Sequence, residues 1–390
     1  MHSPAPLHPI SRRHLEALTG ELGIFQHAIG STPDPAHGYC VDDVARALQV
    51  DLLHARELGW EAVADSAWRG VRVLEAAFDD ASGRFRNFRS IDGEWIGGKG
   101  SDDCHGRAML ALGETVAAAP DPALAAAALT LFGRALRAAE RLSSPRAQAS
   151  VVLGCAALSG SRTVTESTLA ADVTLGAAST AVLRSLATGL HARFLAFARP
   201  GWPWPEDTLT YENAVLPRAM IVAGQRLGAV VMQRIGLQVL DWLIDAQTAP
   251  EGHCSPIGNG WWPYNGTKSQ FDQQPIEATS LLLAAAAAYR VTGEPRYRDA
   301  MEGAYGWFLG ANDLGVPIAD PVRGGGADGL TAEGVNANEG AESTLAWLTA
   351  AEHIRELRRA SKASRFAPGR DEAVLAKRPA ASQPATAARR

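Results

Sequence analysis

The chain has 390 residues, 46% of them hydrophobic and 20% charged, a balance that supports a large core and excludes a disordered chain or a disulfide-stapled miniprotein. The formal net charge is −5. Ala360 to Arg390 hold seven Lys/Arg against two acids, so the body before them carries roughly −10, which disfavours a basic nucleic-acid face.

From the N-terminus, Met1 to Pro9 show no basic start followed by an apolar run, and no secretory signal is expected. Leu281 to Ala288 form the richest apolar stretch, too short to span a bilayer. Cys40, Cys104, Cys155 and Cys254 are too scattered for a disulfide framework. The expectation is a cytoplasmic protein with free thiols, no membrane partner and no assigned oligomeric state.

Helical spacing dominates the pattern that follows. It predicts helices near 11–23, 42–58, 60–78, 103–118, 122–142, 145–159, 170–197, 211–226, 228–247, 275–292, 295–311 and 339–359. Short turns such as Leu58-Gly59, Ala119-Pro120-Asp121, Leu227-Gly228 and Thr292-Gly293-Glu294-Pro295 pair them into antiparallel hairpins. Six such hairpins closing on themselves give an all-α (α/α)6 toroid over residues 1–359, followed by a disordered basic Ala/Pro-rich tail over 360–390. An open solenoid is the competitor, though its repeats are usually shorter and more uniform.

Longer loops interrupt the hairpins. Gly83 to Arg89 and Gly93 to Ile96 read as a small β-hairpin across Asp92-Gly93. The segments around Trp202-Pro203-Trp204 and Trp261-Trp262-Pro263-Tyr264 cannot be helix interior because of their prolines. Each long loop precedes a helix headed by acid, so loops and acids should share one end of the toroid.

Those acids are the chemical signal. Asp42-Asp43, Asp102-Asp103, Glu212, Glu277, and Glu339 with Glu342 stand before apolar helical runs; the helix opening at Pro145 has none. A single acid there is most simply a cap that satisfies free N–H groups. Repetition weakens that explanation, as do the two doublets, since a helix start has one N-cap position. Clustered carboxylates raise at least one pKa, which keeps an acid protonated near neutral pH. Trp204, Trp262 and Tyr264 offer flat faces for pyranose rings, and Gln274 and Asn338 offer hydroxyl contacts. Arg46, Arg107 and Arg218 follow acids closely and either form helix-face ion pairs or orient a carboxylate. His37, Cys40, Cys104, His105, His253 and Cys254 lack CxxC or HExxH spacing, so neither a metal nor another cofactor is expected.

The twelve-helix pattern resembles the six-hairpin glycosidase superfamily. His37-Gly38-Tyr39-Cys40-Val41-Asp42-Asp43 and Asn338-Glu339-Gly340-Ala341-Glu342-Ser343-Thr344 are similar to strings of a bacterial subgroup labelled glycosidase or glycosyltransferase. Asp43 and Asp103, on successive inner helices, resemble the paired aspartates of unsaturated uronyl hydrolases. Cys104-His105-Gly106 also resembles the zinc-binding string of lanthionine cyclases, but the companion cysteine string next to Trp and Gly is missing.

The expected function is a glycoside hydrolase acting on an oligosaccharide or polysaccharide. Asp103 is the expected acid and Asp43 its partner base, with Glu212, Glu277 and Glu339 in reserve. Arg107 and His105 would tune the acid, while Trp204, Trp262, Tyr264, Asp42, Asp102, Gln274, Asn338 and Glu342 would bind the sugar. The resemblance suggests an inverting outcome. A glycosyltransferase or phosphorylase would need a phosphate site, for which Arg84, Arg86 and Arg89 are candidates. A sugar epimerase would draw on His37, His105 and His253. A non-catalytic carbohydrate-binding scaffold would keep the tryptophans and lose its need for the acids.

Overall fold

Proline and small polar residues set where the helices begin. Asp121 accepts from the Ala123 N–H with Pro122 in the first turn, and Ser144 accepts from the Ala147 N–H ahead of Pro145. Gly228 and Gly293 end two helices in the left-handed conformation that costs glycine little. The computed structural model describes residues 4–159 and 173–366, and its helices are α1 (Arg13–Leu18), α2 (Val41–Leu58), α3 (Ala64–Ala77), α4 (Asp102–Ala118), α5 (Pro122–Leu136), α6 (Pro145–Leu158), α7 (Val173–Phe197), α8 (Val215–Leu227), α9 (Val230–Ala246), α10 (Pro275–Thr292), α11 (Pro295–Phe308) and α12 (Ala341–Phe366).

The even-numbered helices close a ring. α2 packs on α4, α4 on α6, α6 on α8, α8 on α10, α10 on α12, and α12 returns to α2. The odd-numbered helices lie outside: short turns join α2 to α3, α4 to α5, α8 to α9 and α10 to α11, α7 packs on α6, and α1 packs against α12. This is an (α/α)6 toroid. Its tightest seam joins α4 to α6, where a Cβ on Gly113 would come within 2.3 Å of the Gly154 carbonyl oxygen. Between the rings lie fully buried Phe85, Phe132, Phe194, Trp307 and Phe308, each worth about 1.5–3 kcal/mol of apolar burial. The inner ring encloses a cavity of about 670 Å³ whose lining runs from the first turns of the inner helices to their last.

Three features depart from the periodicity. The expected helix over 11–23 stops at Leu18, and Thr19–Gly20, Gly23–Ile29 and Thr32–Cys40 become antiparallel strands. The Thr19 hydroxyl bonds the Leu15 carbonyl, and Gly23 has a φ of 148°, which a helix does not accommodate. The hairpin across Asp92-Gly93 is present as Phe88–Arg89 against Trp95–Ile96, and it extends that sheet through Tyr39↔Arg89 to five strands. Arg84–Phe85 instead pairs with Phe78–Asp79. At the other end, α12 runs seven residues past Arg359, and the expected tail over 367–390 lies outside the described residues. Among the described residues no helix is long and apolar enough to cross a membrane.

Candidate active site

The acid-bearing first turns of the inner ring face one another, and two arginines tie them together. Arg46, one turn into α2, donates to Asp43 at 2.7 Å and to Glu342 of α12 at 2.6 Å. Arg107, one turn into α4, donates to Asp42 at 2.9 Å and to Glu212 at 2.7 Å. Asp103 and Glu342 add to the negative field around Arg107. Carboxylates from α2, α4, α12 and the segment before α8 therefore surround two guanidinium groups. Glu212 sits at φ 45°, an unusual backbone state for a side-chain-bearing residue, and its pairing with Arg107 helps hold it there.

The two doublets divide their labour. Asp43 is almost wholly buried, and burial pushes its pKa up to about 6 despite the opposing charge of Arg46; Glu342 and Asp42 push the same way. Asp103 uses both oxygens as acceptors, from the Ser144 hydroxyl at 2.7 Å and from the Tyr211 hydroxyl. Burial and this contact with Asp103 raise the Tyr211 pKa. Asp102 points elsewhere. It accepts from Arg84 at 2.7 Å, from the Ser143 N–H and hydroxyl, and from the Ser144 N–H. Burial alone would raise its pKa, but these donors hold it well below the usual carboxylate range.

No acid heads α6, and Arg146 stands in its first turn. Arg146 donates to Glu206 at 2.8 Å, to the Asn213 side chain at 3.1 Å and to the Tyr211 carbonyl, with its guanidinium over the Tyr211 ring. Glu277 of α10 accepts from the Asn213 side chain at 3.0 Å and faces its backbone N–H. Burial lifts the Glu277 pKa to about 7 against that donation. Together, Arg146 and Glu277 fix the 206–213 segment that delivers Tyr211 and Glu212.

No protein-family model matches the chain, and no curated protein matches it in sequence. Solved structures match along nearly all of it. A cellobiose 2-epimerase from Bacillus thermoamylovorans is 12% identical, covering 89% of this chain and 96% of that one, with a TM-score of 0.65. A cellobiose 2-epimerase from Spirochaeta thermophila gives 14%, 86%, 90% and 0.61 in the same order. An alpha-mannanase from Bacteroides thetaiotaomicron gives 8%, 90%, 96% and 0.58. The chain has the six-hairpin glycosidase fold. That fold is shared by glycoside hydrolases and by sugar epimerases and isomerases, so the reaction must be argued from this chain's own groups.

Several other expected site residues have their contacts outside the two arginine bridges. Glu339 is bonded to Arg323 at 2.7 Å and faces His14 at 3.7 Å. Among the described residues no hydrogen bond or ion pair joins it to the arginine-bridged acids. Trp204 is fully buried, stacked on Trp242, and offers no face to a ligand. Trp202, Trp242, Trp262 and Tyr264 form one aromatic cluster with it, in which Trp262 and Tyr264 keep partial exposure. The cluster anchors the loop carrying Glu206 to Asn213, as the strand pair Thr208–Leu209 with Trp262–Pro263 also does.

His105 is buried against Phe85. Burial, then the charge of Arg84, lowers its pKa to about 4, so it is neutral and cannot serve as a cationic tuner. Asn338 accepts from the Gly30 N–H at 2.9 Å, tying the sheet to the loop before α12. Gln274 precedes α10 without capping it and stays partly exposed. Arg84, Arg86 and Arg89 are engaged by Asp102, Asp79 and the Gly93 carbonyl, so they form no open phosphate site. His37 faces Asp34 on the sheet and His253 faces Asp313, so these histidines do not meet at the acids. Among the described residues no three His, Cys, Asp or Glu side chains are grouped to hold a metal.

The residues missed from sequence are Tyr211, Ser144, Arg146 and Glu206. Each had only a weak local signal. Ser144 precedes Pro145 as an ordinary N-cap, and Tyr211 adjoins Glu212 in what read as helix.

Proposed function

We propose that this chain is a glycoside hydrolase in which Asp43 is the general acid and Asp103 the base or nucleophile, reversing the roles expected from sequence. The observation that carries this reading is the contrast between the two carboxyls. Asp43 has its pKa raised to about 6, so about a tenth of it is protonated at pH 7, far more than for an ordinary aspartate. Asp103 has both oxygens turned to hydroxyl donors, the arrangement that fixes a carboxylate's orientation.

When Asp43 gives its proton to the leaving oxygen, the resulting anion lies beside Arg46 at 2.7 Å, which stabilises it without rearrangement. Asp103 then either activates water or attacks the anomeric carbon, and the distance between the carboxyls across a bound sugar decides which. Arg107 pairs with Asp42 and Glu212 around the same centre. Partly exposed Trp262 and Tyr264 are the sugar-facing aromatics that remain after Trp204 is assigned to the core. Among the described residues His37 packs edge-on against His27, His253 faces Asp313 and His105 is buried, and none of these three is hydrogen-bonded to the acid cluster, which weighs against a sugar epimerase.

The test is an oligosaccharide panel incubated with wild type, Asp43→Asn and Asp103→Asn, read by released reducing ends and by NMR of the first-formed anomer. Hydrolysis by wild type that both variants lose while staying folded supports the assignment. Epimerised sugar without cleavage, or cleavage that survives both substitutions, overturns it.

A further inference from the structure

The bore of the toroid has a second polar end that the acid cluster does not use. Its lining continues from Arg46 and Arg107 down to Arg56, Arg226 and Arg290, in the last turns of α2, α8 and α10, and to Glu356, midway along α12. From Glu342 to Glu356 along α12 this is about 20 Å of helix at about 1.5 Å per residue. Arg218 reaches into the bore between the two ends.

Charge in the lower half is unbalanced. Arg218 meets Glu114 only at 3.7 Å, and Glu114 already accepts from Gln49 at 2.7 Å. The Arg218 Nε is buried without a hydrogen-bond partner. Arg56 meets Glu356 at 3.6 Å. Arg226 and Arg290 have no ion pair among the described residues. Four arginines thus face two glutamates across a cavity whose other walls include Leu52, Leu53 and Leu283. His353 lies among them, held neutral by burial and by the charges of Arg218, Arg290 and Arg56.

An ordinary explanation covers part of this. Cations in the last turn of a helix complement its dipole, which accounts for one arginine each on α2, α8 and α10. It does not account for Arg218, which stands in the first turn of α8, lines the same cavity and leaves its Nε buried without a partner. Nor does it account for the convergence of the surplus on one cavity.

We propose that the lower bore is a binding site for a phosphate-bearing small molecule, entering from the C-terminal end of the inner helices. A phosphate dianion offsets the surplus of two positive charges and presents acceptor oxygens to guanidinium groups, which match it in paired geometry. Arg226 and Arg290 are exposed and meet the anion first, while Arg218 supplies the inner contact. This site is separate from the proposed catalytic pair and does not depend on the hydrolase reading.

The experiment is calorimetric titration of the full chain with inorganic phosphate, pyrophosphate and glucose 6-phosphate, with sulfate and neutral maltose as controls. The comparison proteins are Arg226→Gln/Arg290→Gln and Asp103→Asn. We expect saturable binding of at least one phosphate probe, weakened about 10²- to 10⁴-fold in the double arginine variant, since each charge-assisted contact is worth about tenfold to hundredfold. Asp103→Asn should bind as wild type does. Preference for glucose 6-phosphate over inorganic phosphate would identify a sugar phosphate as the occupant, and the reverse order would identify the free ion. No binding of any phosphate probe, equal binding of sulfate, or binding indifferent to the double substitution would overturn the proposal.

Discussion

Two identical dipeptides, Asp42-Asp43 and Asp102-Asp103, open successive inner helices, and the fold uses three of their four carboxylates at the acid cluster and one outside it. Asp42 and Asp43 both meet arginines within the ring. Asp103 turns toward Tyr211, while Asp102 turns away to bind Arg84 and the backbone ahead of α6. A doublet at a helix start has two side chains about 100° apart, so when one faces the bore its neighbour faces the seam between helices. Whether the second acid is useful to chemistry or to packing depends on what the next helix offers. At α2 it meets an arginine from α4; at α4 it meets the unsatisfied N–H groups of Ser143 and Ser144.

The sharpest break of that comparison is to neutralise each member of the second doublet. Asp103→Asn should cut kcat by about 10²- to 10⁴-fold, the usual worth of a positioned acid–base group. Asp102→Asn should leave the kcat of the folded protein within about threefold, because its bonds are all to Arg84 and the segment before α6, and lower its melting temperature instead. Steady-state kinetics and thermal unfolding on both variants decide it. Equal loss of kcat from both would mean that Asp102 also serves the reaction.

The first doublet is tested through its arginine. Arg107→Met leaves Asp42 and Glu212, both largely buried, without their counter-ion. Breaking a buried pair from one side costs about 3–5 kcal/mol, so denaturant unfolding should show a large drop. A change below about 1 kcal/mol would mean that water replaces the guanidinium there.

These outcomes bear on what the sequence could show. Helix hairpins were legible because their boundaries are local: Asp121-Pro122, Ser144-Pro145 and Gly293-Glu294-Pro295 each carry their own stop or start chemistry. The sheet over 19–40 was not, because its pairing to Phe88–Arg89 spans about fifty residues and leaves no periodic trace in either partner. Acid-headed helices could be read, yet Glu339 shares the pattern of Glu342 three residues later and lies against Arg323 instead. Trp204 failed for a related reason. A tryptophan flanked by prolines reads as a loop residue, and only the packing of Trp242 on it from α9 shows that the loop folds inward. Sequence thus located the end of the toroid that bears the acids, while the division of roles among them depended on contacts between residues as far apart as Arg46 and Glu342.

A smaller effect separates Asp43 from Asp103 by pH. The folded pKa of Asp43 lies near 6, above the ordinary aspartate value of 3.8. Its protonated form therefore fades as pH rises through about 6, and kcat/KM should fall about tenfold per unit above that point. The same shift means that Asp43 contributes stability below its unfolded pKa, and that this contribution is lost as pH rises through about 6. Arg46 opposes the shift, so Arg46→Gln should move the alkaline limb of the rate profile to higher pH. Movement to lower pH, or no movement, would show that Asp43 does not set that limb.

The smallest change concerns the hydroxyl that separates Asp103 from its neighbour. Tyr211→Phe removes one donor to Asp103 and keeps the ring beneath Arg146. Net stability should change by only about 0.5–1.5 kcal/mol, the usual worth of one intramolecular hydrogen bond. The Ser144 hydroxyl still holds the other Asp103 oxygen, so the carboxylate keeps part of its orientation, and kcat should fall by about tenfold, not a thousandfold. KM should stay nearly constant if the tyrosine acts through Asp103, since the loss then falls on the transition state. A rise in KM at constant kcat would instead place the Tyr211 hydroxyl in ground-state sugar binding. The Tyr211 readout therefore tells orientation of the base from recognition of the substrate, a distinction that removing Asp103 itself could not make.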